Sequence, residues 1–205
     1  CMTRLLLSFC LLLFSFLPSF AQKLSPAVIY DQGRAIGQDS LAFKDGNGSL
    51  GQIYNQSVCG LNYCAADMMI ATRYTPGPGP GFPSSLNISC LPSCFNVLQA
   101  YLWWSESSTN NSATATITPP GGGSSAYAAV LAGSAGSKCW PAASSRVFRA
   151  DVTASITTNG AYVINISSGG ADVDGITLFI IYTDPTATYQ GSLVIDDGAM
   201  TIQGG

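Results

Sequence analysis

The chain has 205 residues, only 9% of them charged, with eight Lys and Arg against eleven Asp and Glu and no histidine. The basic residues are scattered, which argues against nucleic acid and anionic membrane surfaces as partners, since both need clustered Lys and Arg. The lack of imidazole removes the commonest general base, the Ser-His and Cys-His nucleophile pairs, and most zinc and copper sites. Average chains carry about 25% charge. Here Ser, Thr, Asn and Gly supply the polarity, a balance that suits an extracellular β-protein rich in turns.

The first residues read as an export signal. Arg4 gives a small positive start, Leu5 to Leu17 an apolar stretch closed by Pro18, and Ser19-Phe20-Ala21 a small-residue cleavage pattern before Gln22. The apolar stretch is too short for a membrane anchor, which needs about 20 residues. A lipoprotein reading through Cys10 fails because Phe9 is bulky and the apolar run continues past it. The expectation is a signal peptide at 1–21, a secreted product on the cell surface, and no membrane span after cleavage. With Cys1 before Met2 and a stop at Gly204-Gly205, the expectation is a piece of a longer polypeptide.

Residues 22–205 are expected to form a single all-β domain, an antiparallel, jelly-roll-like sandwich. Residues 22–95 would be its loop-rich, disulfide-containing part and 96–205 its core. In the first part, Ala27 to Tyr30 and Met68 to Thr75 are strand candidates, Asp45 to Ser49 is a turn cluster, and Thr75 to Pro83 is a Pro-Gly loop. Five cysteines follow the leader: Cys59, Cys64, Cys90, Cys94 and Cys139. A four-thiolate zinc site is the weaker reading, because the spacings exceed C-x2-C and an exported chain meets an oxidising compartment. Cys59–Cys64 is expected as a local staple, with Cys139 bridging to Cys90 or Cys94.

From residue 95 the strand signal strengthens. Phe95 to Trp104 is apolar, and Ala113 to Thr118 alternates Ala and Ile with Thr. A helical turn is predicted at Asp151 to Thr157, with Asp151 as its cap and Val152 and Ile156 on one face. Tyr162, Ile164 and Ile166 alternate, and Ile176 to Thr183 is apolar on both faces, as a strand covered on two sides must be. Leu193 to Ile195 is a short strand, with a last one over Met200 to Ile202. Pro119 to Gly123, Asn159-Gly160, Gly169-Gly170 and Asp197-Gly198 punctuate as turns.

Trp103 and Trp104 are adjacent on a predicted strand, so they face opposite ways. One belongs to the core. The other is either covered or a platform on which a sugar ring stacks. Asp45-x-Asn47-x-Ser49 begins like a calcium loop, but Leu50 and Gln56 stand where Gly and a bidentate Glu are needed. Asp172-x-Asp174-Gly175 and Asp196-Asp197-Gly198 read first as turns. No cofactor is expected, calcium being the one ion these residue types would suit. Glu106 is the lone glutamate, and it and the aspartates are expected in polar turns, so no acid pair for glycoside hydrolysis stands out. No Gly-x-Ser-x-Gly occurs. Five Asn-x-Ser triplets begin at Asn47, Asn55, Asn87, Asn110 and Asn165, and Asp39-Ser40-Leu41 matches a short O-glycosylation pattern.

A series of motifs runs in order through the second half: Val97 to Trp104, Ala150-Asp151-Val152-Thr153, Gly160 to Ile164, Leu178 to Pro185 and Asp197-Gly198. The series resembles an uncharacterised β-sandwich domain near the N-terminus of large bacterial cell-surface and adhesin-like proteins, substrates of gliding-type secretion. It covers residues 96–205 and leaves 22–95 unexplained. The resemblance implies a place on the cell surface and further domains of the same polypeptide, and it carries no catalytic residue. The leading expectation is therefore a non-catalytic module for adhesion or structural display, its ligand a surface glycan or protein. A carbohydrate-binding module using Trp103 or Trp104 is the second expectation, and an enzyme the third and weakest.

Overall fold

The computed structural model describes residues 30–31, 34–35, 47–70, 82–136, 144–167 and 172–201. The chain divides into two compact units, Cys1–Lys44 and Asp45–Gly205. In the first, β1 (Tyr30–Asp31) pairs with β2 (Arg34–Ala35). The expected export signal lies outside the described residues, as do the Pro-Gly run over 75–81 and Cys139. The second unit is an all-β sandwich, as the alternation implies. Among the described residues the remaining secondary structure is one 3-10 turn.

Its strands are β3 (Asn47–Cys59), β4 (Leu61–Met69), β5 (Ser84–Ile88), β6 (Asn96–Ser107), β7 (Thr114–Thr118), β8 (Ser125–Ala128) and β9 (Val130–Gly136), then β10 (Ser144–Asp151), β11 (Gly160–Ser167), β12 (Asp172–Thr183) and β13 (Gln190–Thr201). Every pairing is antiparallel. One sheet has the order β4-β12-β6-β10-β9 and the facing sheet β5-β11-β7-β8. Between them lies the main core. Leu102, Phe148, Leu178 and Ile180 come from the first sheet and Leu86, Ile117, Tyr162 and Ile164 from the second. The alternation read in Thr114 to Thr118 and in Tyr162, Ile164 and Ile166 is the alternation of this core, with Ala115, Ile117, Tyr162 and Ile164 fully buried.

The remaining two strands make a third layer. β3 and β13 pair with each other over nearly their whole length and join neither sheet. β3 runs through Gly60 directly into β4, and β12 leads into β13, while β4 and β12 are themselves neighbours. A single long two-stranded ladder is therefore folded at a corner. Gly60 forms that corner at φ 69°, its N–H donating to the Tyr189 carbonyl at 2.9 Å and its carbonyl accepting from the Asp184 N–H at 2.9 Å. A Cβ at Gly60 would collide with the Asp184 carbonyl oxygen, so glycine is required there on two grounds. The folded ribbon lies on the outer face of the five-stranded sheet. Tyr54, Val58, Leu193 and Ile195 cover Leu61, Tyr101, Trp103, Phe179 and Ile181. β12 is thus apolar on both faces because both are covered, with Ile180 in the main core and Ile181 in the second cluster.

Several expected turns and loops are strand. Asn47 to Ser49 open β3, and β3 and β4 occupy much of the stretch read as irregular. Asp196-Asp197-Gly198 lies within β13, where the short strands at 193–195 and 200–202 merge into one. Asp172 to Gly175 belongs to β12, whose register slips at Asp174, so the Asp-Gly pair marks a bulge. The helical turn is three residues, Thr153–Ser155, capped sequentially by Val152. Asp151 still serves it from one position earlier, its Oδ1 accepting the Thr153 N–H at 3.0 Å and the Thr153 hydroxyl at 2.6 Å.

The disulfide is Cys64–Cys90. This corrects the expected Cys59–Cys64 staple. The two cysteines flank the Gly60 corner, so Cys59 belongs to the ribbon and stays exposed and unbridged while Cys64 turns into the sandwich. Cys90 is thereby taken, which also removes the expected Cys139–Cys90 alternative and the four-thiolate zinc site. The bridge ties the edge strand β4 to the segment after β5, joining the two sheets across a sequence separation of 26. A closed loop of that length contributes about 3 kcal/mol through the unfolded chain. The double variant Cys64→Ala/Cys90→Ala should lose about that much in urea unfolding, and reductant should shift the midpoint of the wild type but not of the variant.

Candidate functional site

Where the ribbon leaves the outer face of the five-stranded sheet uncovered, a shallow hollow of about 460 Å³ opens. Its floor is Gly175, which the bulge at Asp174 sets in register with Met69 on β4 and Ser105 on β6. The next row of the sheet is Asp67, Thr177 and Trp103, and Val147 of β10 lies beyond Ser105. Gly175 brings no side chain to its row, which makes the depression. Asp67 and Met69 are exposed, Met69 at 68%.

Trp103 and Trp104 part company as their adjacency requires. Trp104 is core, 2% exposed and stacked on Phe148 with ring centroids 5.6 Å apart. It has no face to offer a ligand. Trp103 is half-buried by the ribbon and edge-on to Phe179, yet it walls the hollow. Its Nε1–H donates to Asp197 Oδ2 at 2.9 Å, which fixes the ring from the ribbon side. The same carboxylate oxygen is ion-paired with Arg149, whose guanidinium lies 5.4 Å from the centre of the Tyr101 ring. The Asp-Asp-Gly context of Asp197 predicts a turn residue. Asp197 is instead the ribbon's polar lock onto the sheet.

Other acids are also engaged. Asp151 Oδ2 accepts from Gln99 at 2.6 Å while Oδ1 serves Thr153. Burial pushes this carboxyl up, but the hydrogen bonds from Thr153 and Gln99 and the charge of Arg149 outweigh it and hold it below 3.8. The hydroxyl and amide of Thr186 hold the exposed Asp184 carboxyl low in the same way. Glu106 is not in a polar turn as expected. It faces inward near the end of β6, fully buried, with Oε1 accepting the Ser108 hydroxyl at 2.6 Å and Oε2 without a partner. Burial pushes the phenols of Tyr54, Tyr101 and Tyr182 up; at Tyr101 Arg149 opposes this and Asp151 and Asp197 reinforce it.

Among the described residues no group of three or more His, Cys, Asp and Glu comes together around a metal. Of the Asn-x-Ser triplets, Asn55, Asn87 and Asn165 are exposed on strands and Asn110 is half-buried in the β6–β7 loop. Cys94 is half-buried near the start of β6. The sequence reading missed Asp67, Met69, Gly175 and Thr177 as a group. One signal was present: Val173 and Ile176 both face inward, three residues apart, a spacing that an unbroken strand does not allow.

Comparison with family models, curated proteins and solved structures returns no match for this chain.

The Arg149–Asp197 pair sits in a partly enclosed setting, at 19% and 11% side-chain exposure. In a double-mutant cycle with Arg149→Met and Asp197→Asn its coupling should be about 1–2 kcal/mol, above that of a solvated surface pair. The pH dependence follows from the shifts. The lowered Asp151 carboxyl contributes stability that is present above its ordinary 3.8 and is lost as pH falls through the folded value. The raised phenols contribute stability that is present below their ordinary 10.0 and is lost as pH climbs through the folded values. Thermal midpoints should therefore fall at both ends of a pH series, and Asp151→Asn should lessen the fall on the acid side, to which Asp184 also contributes, and change the alkaline side through Tyr101.

Proposed function

We propose that this chain is a non-catalytic β-sandwich module displayed on the outside of a cell, serving adhesion or the structural display of a longer surface protein. The carrying observation is how four of its acidic groups are employed, Asp67 and Asp174 at the hollow standing apart from them. Asp197 holds the ribbon to the sheet, Asp151 and Asp184 hold local turns, and Glu106 is sealed from solvent. A hydrolase needs acids converging on an accessible cleft, one with a shifted proton affinity. The export signal read at residues 1–21, the cysteine bridge and the sparse charge support a location outside the cell, as does the resemblance of residues 96–205 to surface-protein sandwich domains.

One observation favours a second reading, a carbohydrate-binding module. The hollow beside Trp103 combines an aromatic wall with hydroxyl and carboxylate groups, the mix of apolar surface and a few polar anchors that ligand sites share. Its volume falls within the usual range of about 300–1,000 Å³.

Antibody against the purified chain should label intact source cells, and external protease should remove the label; confinement to the cytosol would refute the location. Incubation with polysaccharide and peptide panels should release no product, and turnover of any substrate would refute the non-catalytic reading. A glycan array probed with the wild-type chain decides the second reading, since an empty array removes it.

A further inference from the structure

We infer that the hollow over Gly175 is a binding site for one uncharged pyranose unit of a glycan. The inference rests on the carbohydrate-binding reading above and names its ligand class and its determinants.

Three features of the hollow converge. First, its floor is made by an absence of side chain inside a strand. β12 bulges at Asp174 and places Gly175 between Met69 and Ser105, on a surface row where each neighbouring strand contributes a side chain. A Cβ at Gly175 would lie 3.2 Å from the Met68 carbonyl oxygen and would begin to fill the depression. Gly175 adopts none of the left-handed backbone that would itself demand glycine, so its effect here is space. A glycine within a strand commonly marks close approach by a ligand or another backbone.

Second, the wall is prepared in advance. Trp103 is fixed by its hydrogen bond to Asp197 and by edge contact with Phe179. A ring already held in place loses little freedom when a ligand arrives. Opposite it, Asp67 and Thr177 share its row of the sheet. Asp67 and Trp103 stand two strand spacings apart, about 10 Å. One pyranose bridges that span, its apolar face toward Trp103 and its hydroxyls toward Asp67, Thr177 and Ser105.

Third, the charge selects among ligands. Asp67 is exposed at the hollow, and among the described residues that line it there is no Lys or Arg. Uronic and sialic acids are repelled, and a neutral sugar has acceptors for its hydroxyls. A cationic side chain is the other chemistry an aromatic and a carboxylate can serve. Cation recognition works best when aromatic faces enclose the charge, and here Trp104 is buried beneath the lining, which leaves Trp103 as the accessible aromatic of an open depression.

The test is saturation-transfer NMR with methyl glycosides of glucose, galactose and mannose, methyl glucuronide as the acidic probe and N-acetyl-lysine methylamide as the cationic one. Gly175→Ala, Asp67→Asn and Thr177→Val perturb the hollow. Tyr63→Ala, an exposed aromatic stacked on Phe179 away from the hollow, is the control. Thermal midpoints within a few degrees of wild type qualify each variant as folded, and Asp67→Asn keeps the test decisive should Gly175→Ala not fold. The expected result is binding of at least one neutral glycoside, weakened tenfold or more by Gly175→Ala and Asp67→Asn and unchanged by Tyr63→Ala. Neutral-sugar binding that survives the hollow variants and is lost with Tyr63→Ala overturns the site and leaves the carbohydrate-binding reading standing. Preference for the glucuronide or the lysine probe overturns the ligand class. Failure to bind any glycoside here and any glycan on the array overturns both.

Discussion

The outer face of the five-stranded sheet carries Tyr101, Trp103, Phe179 and Ile181, and a face so apolar is not stable against water uncovered. The rest of the unit is arranged around that constraint. Its solution is to extend two neighbouring strands beyond the sheet, bend both at one corner and lay them back as a lid. Because β4 and β12 are already paired, the continuation of each is paired too, and the lid arrives as a ribbon hydrogen-bonded along its length apart from one bulge. The corner has to be tight, so Gly60 sits where any side chain would strike Asp184. Two more glycines mark where the ribbon presses on the sheet. A Cβ on Gly191 would collide with Leu61, and one on Gly133 of β9 with the backbone at Gly198 and Ala199.

Apolar contact alone would let such a ribbon slide. Hydrophobic burial has no direction, whereas a hydrogen bond with a fixed donor does. Asp197 receives both the Trp103 indole and the Arg149 guanidinium, so the ribbon has one register on the sheet. The bulge that sets Ile53 and Tyr54 both against the second cluster lies next to this lock. The ribbon covers the row of Tyr101 and Phe179, and it leaves the row of Gly175 open from β4 to β6 while pressing on that row's far end at Gly133. Trp103 lies on that boundary, covered enough to be rigid and uncovered enough to border the hollow.

Much of this was written in the sequence, and what was not has identifiable reasons. The period-2 alternation in Thr114 to Thr118 and in Tyr162 to Ile166 is a local consequence of burial on one side, so it could be read directly. The unbroken apolar run at Ile176 to Thr183 announced two covered faces, though not that one cover would be a ribbon of the same chain. Asp-Gly pairs misled. Asp174-Gly175 and Asp197-Gly198 have turn composition, but tertiary pairing made the first a bulge and the second part of a 12-residue strand. Cysteine pairing is a long-range property. Cys59 and Cys64 are close in sequence and are separated by a corner that no spacing rule reveals. The hollow was invisible for the same reason, since Asp67, Gly175 and Trp103 meet only through register across three strands.

The distribution of charge follows from the layering. A three-layer β-unit has few places where a charged side chain can sit without desolvation, and 9% charge is what such a surface needs. On the outer face of the four-stranded sheet, Thr114, Thr116, Thr118, Asn165, Ser167, Asn87 and Ser85 alternate with the buried set and keep that face wet without a single charge. The exposed edges, by contrast, are held by specific pairs: the disulfide at β4, and, for the segment after β5, Asn159 just before β11, which donates to the Leu91 carbonyl at 2.7 Å and accepts the Leu91 N–H at 3.0 Å. Stability comes from covered apolar faces and from a few fixed polar contacts at their borders. Recognition then has to occur where a border is left open, and the edge of the ribbon beside Trp103 is such a border.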